Sequence, residues 1–158
     1  MFKKVCIASD HGGFSLKQSV IDFLINKNVS VIDLGPFENK TVDYPDYAKK
    51  LAKRIKAKKS DVGILVCGSG TGMAISANKI KTIRAAVCYN VKSTRLSREH
   101  NNANIIALGA RLTKKKLSLK LVEIFLKTKF EGGRHLKRVN TVSYTHLRAH
   151  ETDSYLVC

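Results

Sequence analysis

The sequence VGILVCGSGTGMAISANK occupies residues 62–79 and joins three patterns in one short stretch. Val62–Cys67 is a continuous apolar run without polar alternation, which is typical of a strand that helices cover on both faces. The run passes directly into three glycines at alternate positions, and then into a helical pattern over Gly72–Lys79. A buried strand, a glycine-rich turn and a helix in this order predict one βα unit of a parallel sheet.

The rest of the chain repeats this βα pattern on both sides. Four more apolar runs predict strands, at Val5–Ser9, Val29–Asp33, Ala85–Cys88 and Ile105–Leu108. Apolar residues at helical spacing predict further helices around residues 16–24, 47–55, 92–101 and 113–127, the last with Thr113 as its N-cap. We therefore expect an α/β protein with a doubly wound, Rossmann-like fold, a three-layer α/β/α sandwich around a five-stranded parallel sheet.

Length and hydrophobicity indicate one domain that does not enter a membrane. The chain has 158 residues, of which 44% are hydrophobic and 26% are charged, so a single core can form without disulfides or metal. No apolar run approaches the roughly 18 residues of a membrane span, and the first residues show no signal-peptide pattern. We expect a cytoplasmic protein without a membrane partner.

The formal charge of +17 leaves two interpretations open. A basic nucleic-acid-binding module without enzymatic activity would explain the charge, and the run Lys114-Lys115-Lys116 supports it. A lysine-rich solvated surface explains it better, because 21 of the 29 cations are Lys and only 8 are Arg, the usual specific reader of phosphates. The sequence also lacks aromatic stacking motifs, so we expect no nucleic-acid partner.

The turn after the third strand, Cys67–Gly72, carries the clearest sign of chemistry. Glycines at a strand's carboxyl end, next to a helix N-terminus, leave backbone N–H groups free to bind an oxyanion or phosphate, although a plain tight turn is the simpler reading. The spacing matches neither a dinucleotide nor a nucleoside-triphosphate fingerprint. Cys67 directly precedes this nest, a setting that favours the thiolate and a role as proton-abstracting base. Cys6 and Cys88 lie inside apolar runs and are expected in the core.

Histidines and arginines fall in the other loops that we place at the same rim of the sheet. The set comprises Asp10, His11, His100, Arg111, Arg134, His135 and Arg138. Imidazoles suit acid–base work, and an arginine cluster suits a phosphomonoester. Because no metal-ligand spacing occurs, we expect neither a metal nor a cofactor. The inventory indicates proton transfer next to the carbonyl group of a small phosphorylated molecule.

Six motifs carry a resemblance to a known family. They are SDHGGF, VDYPDYA, ILVCGSGTGM, IRAAVC, SREHNNANIIALGAR and FEGGRHLKRV. In order and spacing they resemble the ribose-5-phosphate isomerase B family, which includes the galactose-6-phosphate isomerase subunits, over about residues 2–142. The resemblance implies metal-free interconversion of ribose 5-phosphate and ribulose 5-phosphate through an enediolate, in homodimers or homotetramers that share sites between subunits. A six-carbon substrate, galactose 6-phosphate or allose 6-phosphate, stays open because pocket size cannot be read from one sequence.

The same resemblance assigns roles to individual residues. Cys67 matches the base that moves a proton between C1 and C2, and His100 matches the residue that helps to open the furanose ring. Some family members place Glu just after the glycine loop, where this chain has Met73, so proton abstraction falls to Cys67. The substrate-binding residues by this resemblance are Asp10, His11, Tyr44, Gly68, Ser69, Gly70, Thr71, Gly72, Asn101, Arg111, Arg134 and Arg138.

The end of the chain departs from the family pattern. Residues 143–158 read SYTHLRAHETDSYLVC, which lacks the helical period expected of the family's closing helix. The segment resembles translated sequencing-adapter DNA. We therefore expect a sugar-phosphate isomerase domain over residues 1–142 and a non-native tail in which His146, His150 and Cys158 carry no function.

Overall fold

The computed structural model describes residues 2–142, and the expectations for the tail at 143–158 lie outside these residues. The strands are β1 (Lys4–Ser9), β2 (Ser30–Asp33), β3 (Val62–Cys67), β4 (Ala85–Val87) and β5 (Ile105–Gly109). The helices are α1 (Phe14–Ile25), α2 (Tyr44–Lys56), α3 (Thr71–Asn78), α4 (Val91–Glu99), α5 (Lys115–Lys127) and α6 (residues 134–142). All five predicted strands are present within a residue or two of their expected ends.

The five strands form one parallel sheet in the order β2-β1-β3-β5-β4. The chain leaves β1 toward one edge of the sheet and later continues from β3 toward the other edge. The carboxyl ends of β1 and β3 therefore flank a topological switch point, where loops separate and leave a crevice. Since β1 pairs with β3 over Val5–Ser9 and Val62–Val66, Asp10 and Cys67 emerge side by side at that crevice.

Two buried clusters on opposite faces of the sheet make the three layers. Along β1, Val5 and Ile7 pack into the cluster beneath α1 and α5, whereas Cys6 and Ala8 pack into the cluster beneath α2 and α3. Successive side chains of a strand point to opposite faces, so a strand covered on both sides must be apolar at every position. The predicted three-layer α/β/α sandwich is confirmed. Burial raises the pKa of Cys6 to about 11, in line with its expected core position.

The chain segment after β2 is hydrogen-bonded to α1 and to the end of β1. Lys17 of α1 is fully buried and donates hydrogen bonds to the Asp33 carboxylate at 2.6 Å and to the Pro36 carbonyl at 2.7 Å. The Ser9 N–H donates to the Gly35 carbonyl at 3.0 Å. Ordinarily a buried ammonium is stable only when it is paired in this way. The contact ties α1 to the chain segment beside the end of β1.

Two local predictions were wrong. Thr113 is not the N-cap of α5, because Lys114 has that position and Thr113 lies buried in the preceding turn, where its N–H donates to the Gly109 carbonyl at 3.0 Å. The segment that carries Arg134 and Arg138 is not a loop but the start of α6. No helix among residues 2–142 is long and apolar enough to cross a membrane.

Candidate active site

A cavity of about 330 Å³ opens at the switch point between β1 and β3. Its volume lies within the range of small-molecule sites. It brings together many of the residues that the sequence singles out, from four different segments of the chain. The residues that line it are Asp10, His11, Tyr44, Cys67, Gly68, Ser69, Gly72, Arg111 and Leu112.

Cys67 ends β3 and is 5% exposed. The backbone N–H of Gly70 donates a hydrogen bond to Cys67 Sγ over 3.0 Å. Gly70 has a left-handed backbone with φ of +84° and immediately precedes α3, so the turn depends on glycine at this position. An N–H donor and a helix N-terminus both stabilise negative charge on sulfur. The geometry therefore places the Cys67 thiol at the wall of the cavity, next to an N–H donor and a helix N-terminus.

The loop after β1 approaches the glycine turn closely. Asp10 accepts a hydrogen bond from the Gly13 N–H at 2.9 Å, and its own N–H donates to the Val66 carbonyl at 3.1 Å. A Cβ atom at Gly12 would lie 3.3 Å from the Gly68 nitrogen, which leaves little space between the two loops. One Asp10 oxygen is thus engaged by the backbone, and the carboxylate is held at the cavity.

Arg111 supplies the positive charge of the cavity. The backbone N–H of Arg111 donates to the Gly68 carbonyl at 3.0 Å, which fixes the start of the Arg111 side chain against the glycine turn. A Cβ atom at Gly68 would lie 3.3 Å from one guanidinium nitrogen, and a Cβ atom at Gly12 would lie 3.5 Å from the other. The guanidinium therefore lies against two glycines and lines the cavity, where its donors can bind a ligand anion.

Tyr44 and Met73 differ in their relation to the cavity. Tyr44 begins α2 and covers Gly72, where an added Cβ would lie 3.0 Å from the phenol ring. Met73 is fully buried in the cluster beneath α2 and α3, and it is not among the lining residues. Methionine has no ionisable group, so of the two residues that flank the glycine turn along the chain, Cys67 and Met73, only Cys67 could act as an acid or a base.

The expectation that all the marked loops share one rim was wrong. His100 and Asn101 follow α4, which starts at the carboxyl end of β4 and runs back to the amino end of the sheet. The Asn101 carbonyl accepts a hydrogen bond from Arg84, which immediately precedes β4. Arg134 and Arg138 of α6 accompany them rather than Cys67, because α5 also returns the chain to the amino end.

This second group is compact. The rings of His100 and His135 stack with centroids 4.1 Å apart and an interplanar angle of 9°. Arg134 and Arg138 are exposed and lie one helical turn apart on the same face of α6. Burial lowers the pKa of His135, and the neighbouring His100 and Arg134 lower it further. A cavity of about 400 Å³ next to this group is lined by Asn101 and Arg138.

Two arginines hold the turn that carries His100. Arg98 is 4% exposed; it donates to the Asn102 side chain at 3.1 Å and to the Thr128 carbonyl at 3.3 Å, and it also donates to the Ala103 carbonyl. Arg84 donates to the Asn102 carbonyl at 3.0 Å. Burial, with a smaller contribution from Arg84, lowers the pKa of Arg98 to about 10. Both residues fix the backbone between α4 and β5, and nothing in the sequence marks them for this role.

One cluster has side chains capable of binding a metal ion. The ligand atoms of His100, Glu131 and His135 lie within 4.8 Å of one another. The sequence spacing does not reveal this cluster, because His100 is distant along the chain from the other two. A metal ion binds to a histidine nitrogen in the plane of its ring, and the two ring planes here are nearly parallel, so one of the two rings would have to turn before both nitrogens could bind one ion.

Tyr89 is a further residue beside the glycine turn, and the sequence marks it only weakly. It follows β4 and Cys88 at the same end of the sheet as Cys67, and its hydroxyl donates to the Ser69 carbonyl at 3.1 Å. Its only sequence signal is its position directly after a predicted strand. The glycine turn is therefore held from β4 as well as from β5.

A thiol, a glycine nest and an arginine at the switch point of a parallel sheet define an α/β protein suited to binding a small anion. The family model for ribose/galactose isomerases matches residues 5–142, and the chain belongs to this family. Ribose-5-phosphate isomerase B of Escherichia coli is 40% identical over 141 residues, which cover 89% of this chain and 95% of that protein. The resemblance noted from the motifs is thus confirmed.

Solved structures agree with this assignment. Ribose-5-phosphate isomerase B of Clostridium thermocellum is 46% identical, with a TM-score of 0.91 over 92% of this chain and 99% of its own. The enzyme of Mycoplasma genitalium, solved with bound ribulose 5-phosphate, is 40% identical, with a TM-score of 0.85 over 89% of this chain and 94% of its own.

Proposed function

We propose that this protein is a ribose-5-phosphate isomerase that interconverts ribose 5-phosphate and ribulose 5-phosphate with Cys67 as the base. The observation that carries the proposal is the hydrogen bond from the Gly70 N–H to Cys67 Sγ, in a cavity that Arg111 also lines. Relatives with 40–46% identity that carry the name of this enzyme support the substrate.

The reaction moves one proton between two carbons and needs no redox cofactor. The Cys67 thiolate removes the proton from C2 of the open-chain aldose, and the electrons form a 1,2-enediolate. Backbone N–H groups of the glycine turn stabilise the oxyanion. The thiol then returns its proton to C1 while the proton on O2 passes to O1, which gives the ketose and regenerates the thiolate. By resemblance, His100 opens the furanose ring before this step.

The complete site requires two copies of the chain. Cys67 and Arg111 lie at the carboxyl end of the sheet, whereas His100, Arg134 and Arg138 lie at the amino end. We infer a homodimer or homotetramer in which the first group of one copy faces the second group of another. Arg111 and His11 of one copy and the two α6 arginines of the other would then surround the phosphate.

Exposed apolar side chains at the cavity and on α3 support this assembly. Leu112 is 63% exposed and Tyr44 is 41% exposed, and both line the cavity. Ile75 on α3 is 59% exposed. Apolar groups that gather at the mouth of a polar site mark a surface that a partner covers. A cytoplasmic enzyme with a small phosphosugar substrate is part of the same proposal.

Side-by-side assays test the substrate assignment. The purified chain is given ribose 5-phosphate, allose 6-phosphate and galactose 6-phosphate at equal concentrations, and ketose formation is measured. We expect ribose 5-phosphate to give the highest kcat/KM. A higher kcat/KM for either hexose phosphate would move the enzyme to the six-carbon branch of its family, and no turnover of any of the three would contradict the proposal.

A further inference from the structure

The hydroxyl of Tyr89 lies at the centre of a chain of hydrogen bonds at the glycine turn. It donates to the Ser69 carbonyl at 3.1 Å, and the Thr71 hydroxyl lies 3.5 Å away on its other side. With the Tyr89 proton engaged by Ser69, the Thr71 hydroxyl is the donor to the Tyr89 oxygen. Both hydrogen bonds then run in one direction, from Thr71 through Tyr89 to Ser69.

The Ser69 carbonyl and the Gly70 N–H are the two ends of a single peptide group. Tyr89 therefore donates to the oxygen of the same group whose N–H donates to Cys67 Sγ at 3.0 Å. A hydrogen bond accepted by a peptide carbonyl polarises the amide and makes its N–H a stronger donor. The Tyr89 hydroxyl and the sulfur are thus coupled through one rigid, planar unit.

Packing keeps this peptide group in one orientation. A Cβ atom at Gly109 would lie 2.7 Å from the Ser69 oxygen, so the carbonyl rests directly on the end of β5. A Cβ atom at Gly70 would lie 3.1 Å from the Leu108 backbone, and Gly70 has its φ of +84°. The β5 backbone and Tyr89 both contact this peptide group, so the Gly70 N–H stays directed at Cys67 Sγ.

We propose that Tyr89 is a positioning residue for Cys67, and that its hydroxyl acts through the Ser69–Gly70 peptide to stabilise the thiolate. Tyr89 is not among the residues that line the cavity, so we assign it no direct contact with the substrate. The consequence for turnover rests on the proposed function, whereas the effect on the sulfur does not. Tyr89→Phe removes only the hydroxyl and keeps the ring.

The test compares wild type, Tyr89→Phe and Tyr47→Phe, which removes the hydroxyl of a tyrosine on α2 whose ring lies beside Gly35. Iodoacetamide alkylation of Cys67 is followed from pH 5 to pH 10, with the Cys67 peptide resolved by mass spectrometry. Tyr89→Phe keeps the hydrogen bond from Gly70 to the sulfur and removes only its polarisation, about 10–30% of the strength of a charge-assisted bond, so we expect alkylation at pH 7 to slow about 1.3- to fivefold and its pH profile to move to higher pH. Tyr47→Phe should follow wild type.

Turnover gives the second measurement. In Tyr89→Phe, kcat for ribose 5-phosphate should fall by about the same factor as alkylation, with KM unchanged, because thiolate formation and not binding is affected. Superimposable alkylation profiles for Tyr89→Phe and wild type would overturn the proposal. A wild type without isomerase activity would instead overturn the proposed function, and the alkylation profiles would still decide the role of Tyr89.

Discussion

His100 and His135 stack at the end of the sheet opposite Cys67, with ring centroids 4.1 Å apart. Each histidine also has a nitrogen within 4 Å of the Glu131 carboxylate, at 3.9 Å for His100 and 3.6 Å for His135. The base and the ring-opening residue of the proposed reaction therefore belong to separate groups in one copy of the chain. Because of this separation, the proposed reaction requires at least two copies of the chain.

Mixing two inactive variants should restore activity. Cys67→Ser and His100→Asn damage opposite halves of the shared site, so a hybrid dimer contains one doubly damaged site and one intact site. With random exchange, half of the dimers are hybrids, and we expect about a quarter of wild-type turnover. The variants are unfolded together, refolded and assayed with ribose 5-phosphate.

The matched control is a mixture of Cys67→Ser with Cys67→Ala, two variants that damage the same half. This mixture should remain inactive. If the Cys67→Ser and His100→Asn mixture stays as inactive as its components while both refold into dimers, the two residues do not share a site across subunits.

Arg111→Gln should weaken substrate binding more than it slows chemistry. The guanidinium packs on Gly68 and Gly12 with its donors toward the cavity, and a charged hydrogen bond contributes about 1.5–3 kcal/mol. We expect KM for ribose 5-phosphate to rise about 10- to 100-fold, with inhibition by inorganic phosphate weakened in parallel. Steady-state kinetics measure both, with Arg95→Gln on α4 as the control. An unchanged KM would remove Arg111 from the phosphate site.

His135 should make the fold less stable in mild acid. Its pKa is lowered in the folded protein because the ring is buried, with His100 and Arg134 nearby, so the unfolded chain binds the proton more tightly than the folded chain. Stability is then unaffected above the ordinary histidine pKa of about 6.5 and decreases as the pH falls through it toward the lowered value. Thermal unfolding between pH 8 and pH 5 measures this decrease.

His135→Gln, which cannot titrate, should lose less stability than wild type over this pH range. His11→Gln replaces an exposed histidine at the other end of the sheet and should keep the wild-type slope. Parallel curves for wild type and His135→Gln would contradict the assignment of the acid sensitivity to His135.

The strands were predictable because burial on both faces requires apolar residues at every position. Val62–Cys67 shows the pattern without interruption, and the predicted limits of β3 are the observed ones. Thr113 was misread as an N-cap because threonine is common both at N-caps and in turns. The hydrogen bond from its N–H to the Gly109 carbonyl shows that it belongs to a turn. Lys17 gave no signal, since its burial depends on Asp33 and Pro36 from a distant segment.

The cavity was predictable in part. Cys67 ends β3, Asp10 directly follows β1 and Arg111 lies two residues after β5, so the carboxyl end of the sheet gathers them. His100 follows a helix, and a helix that leaves the carboxyl end returns the chain to the amino end, so the direction of α4 already contradicts a single rim. The stacking of His100 on His135 depends on the path of the chain after α5, which no local pattern encodes.

The most direct test is turnover of ribose 5-phosphate by wild type and Cys67→Ser, both treated with a chelator. Serine matches the size of cysteine, but its hydroxyl is far less acidic and cannot serve as the base. We predict that chelated wild type remains active and that kcat falls at least about a hundredfold in Cys67→Ser, with thermal unfolding unchanged. A Cys67→Ser enzyme with nearly full activity would contradict the account.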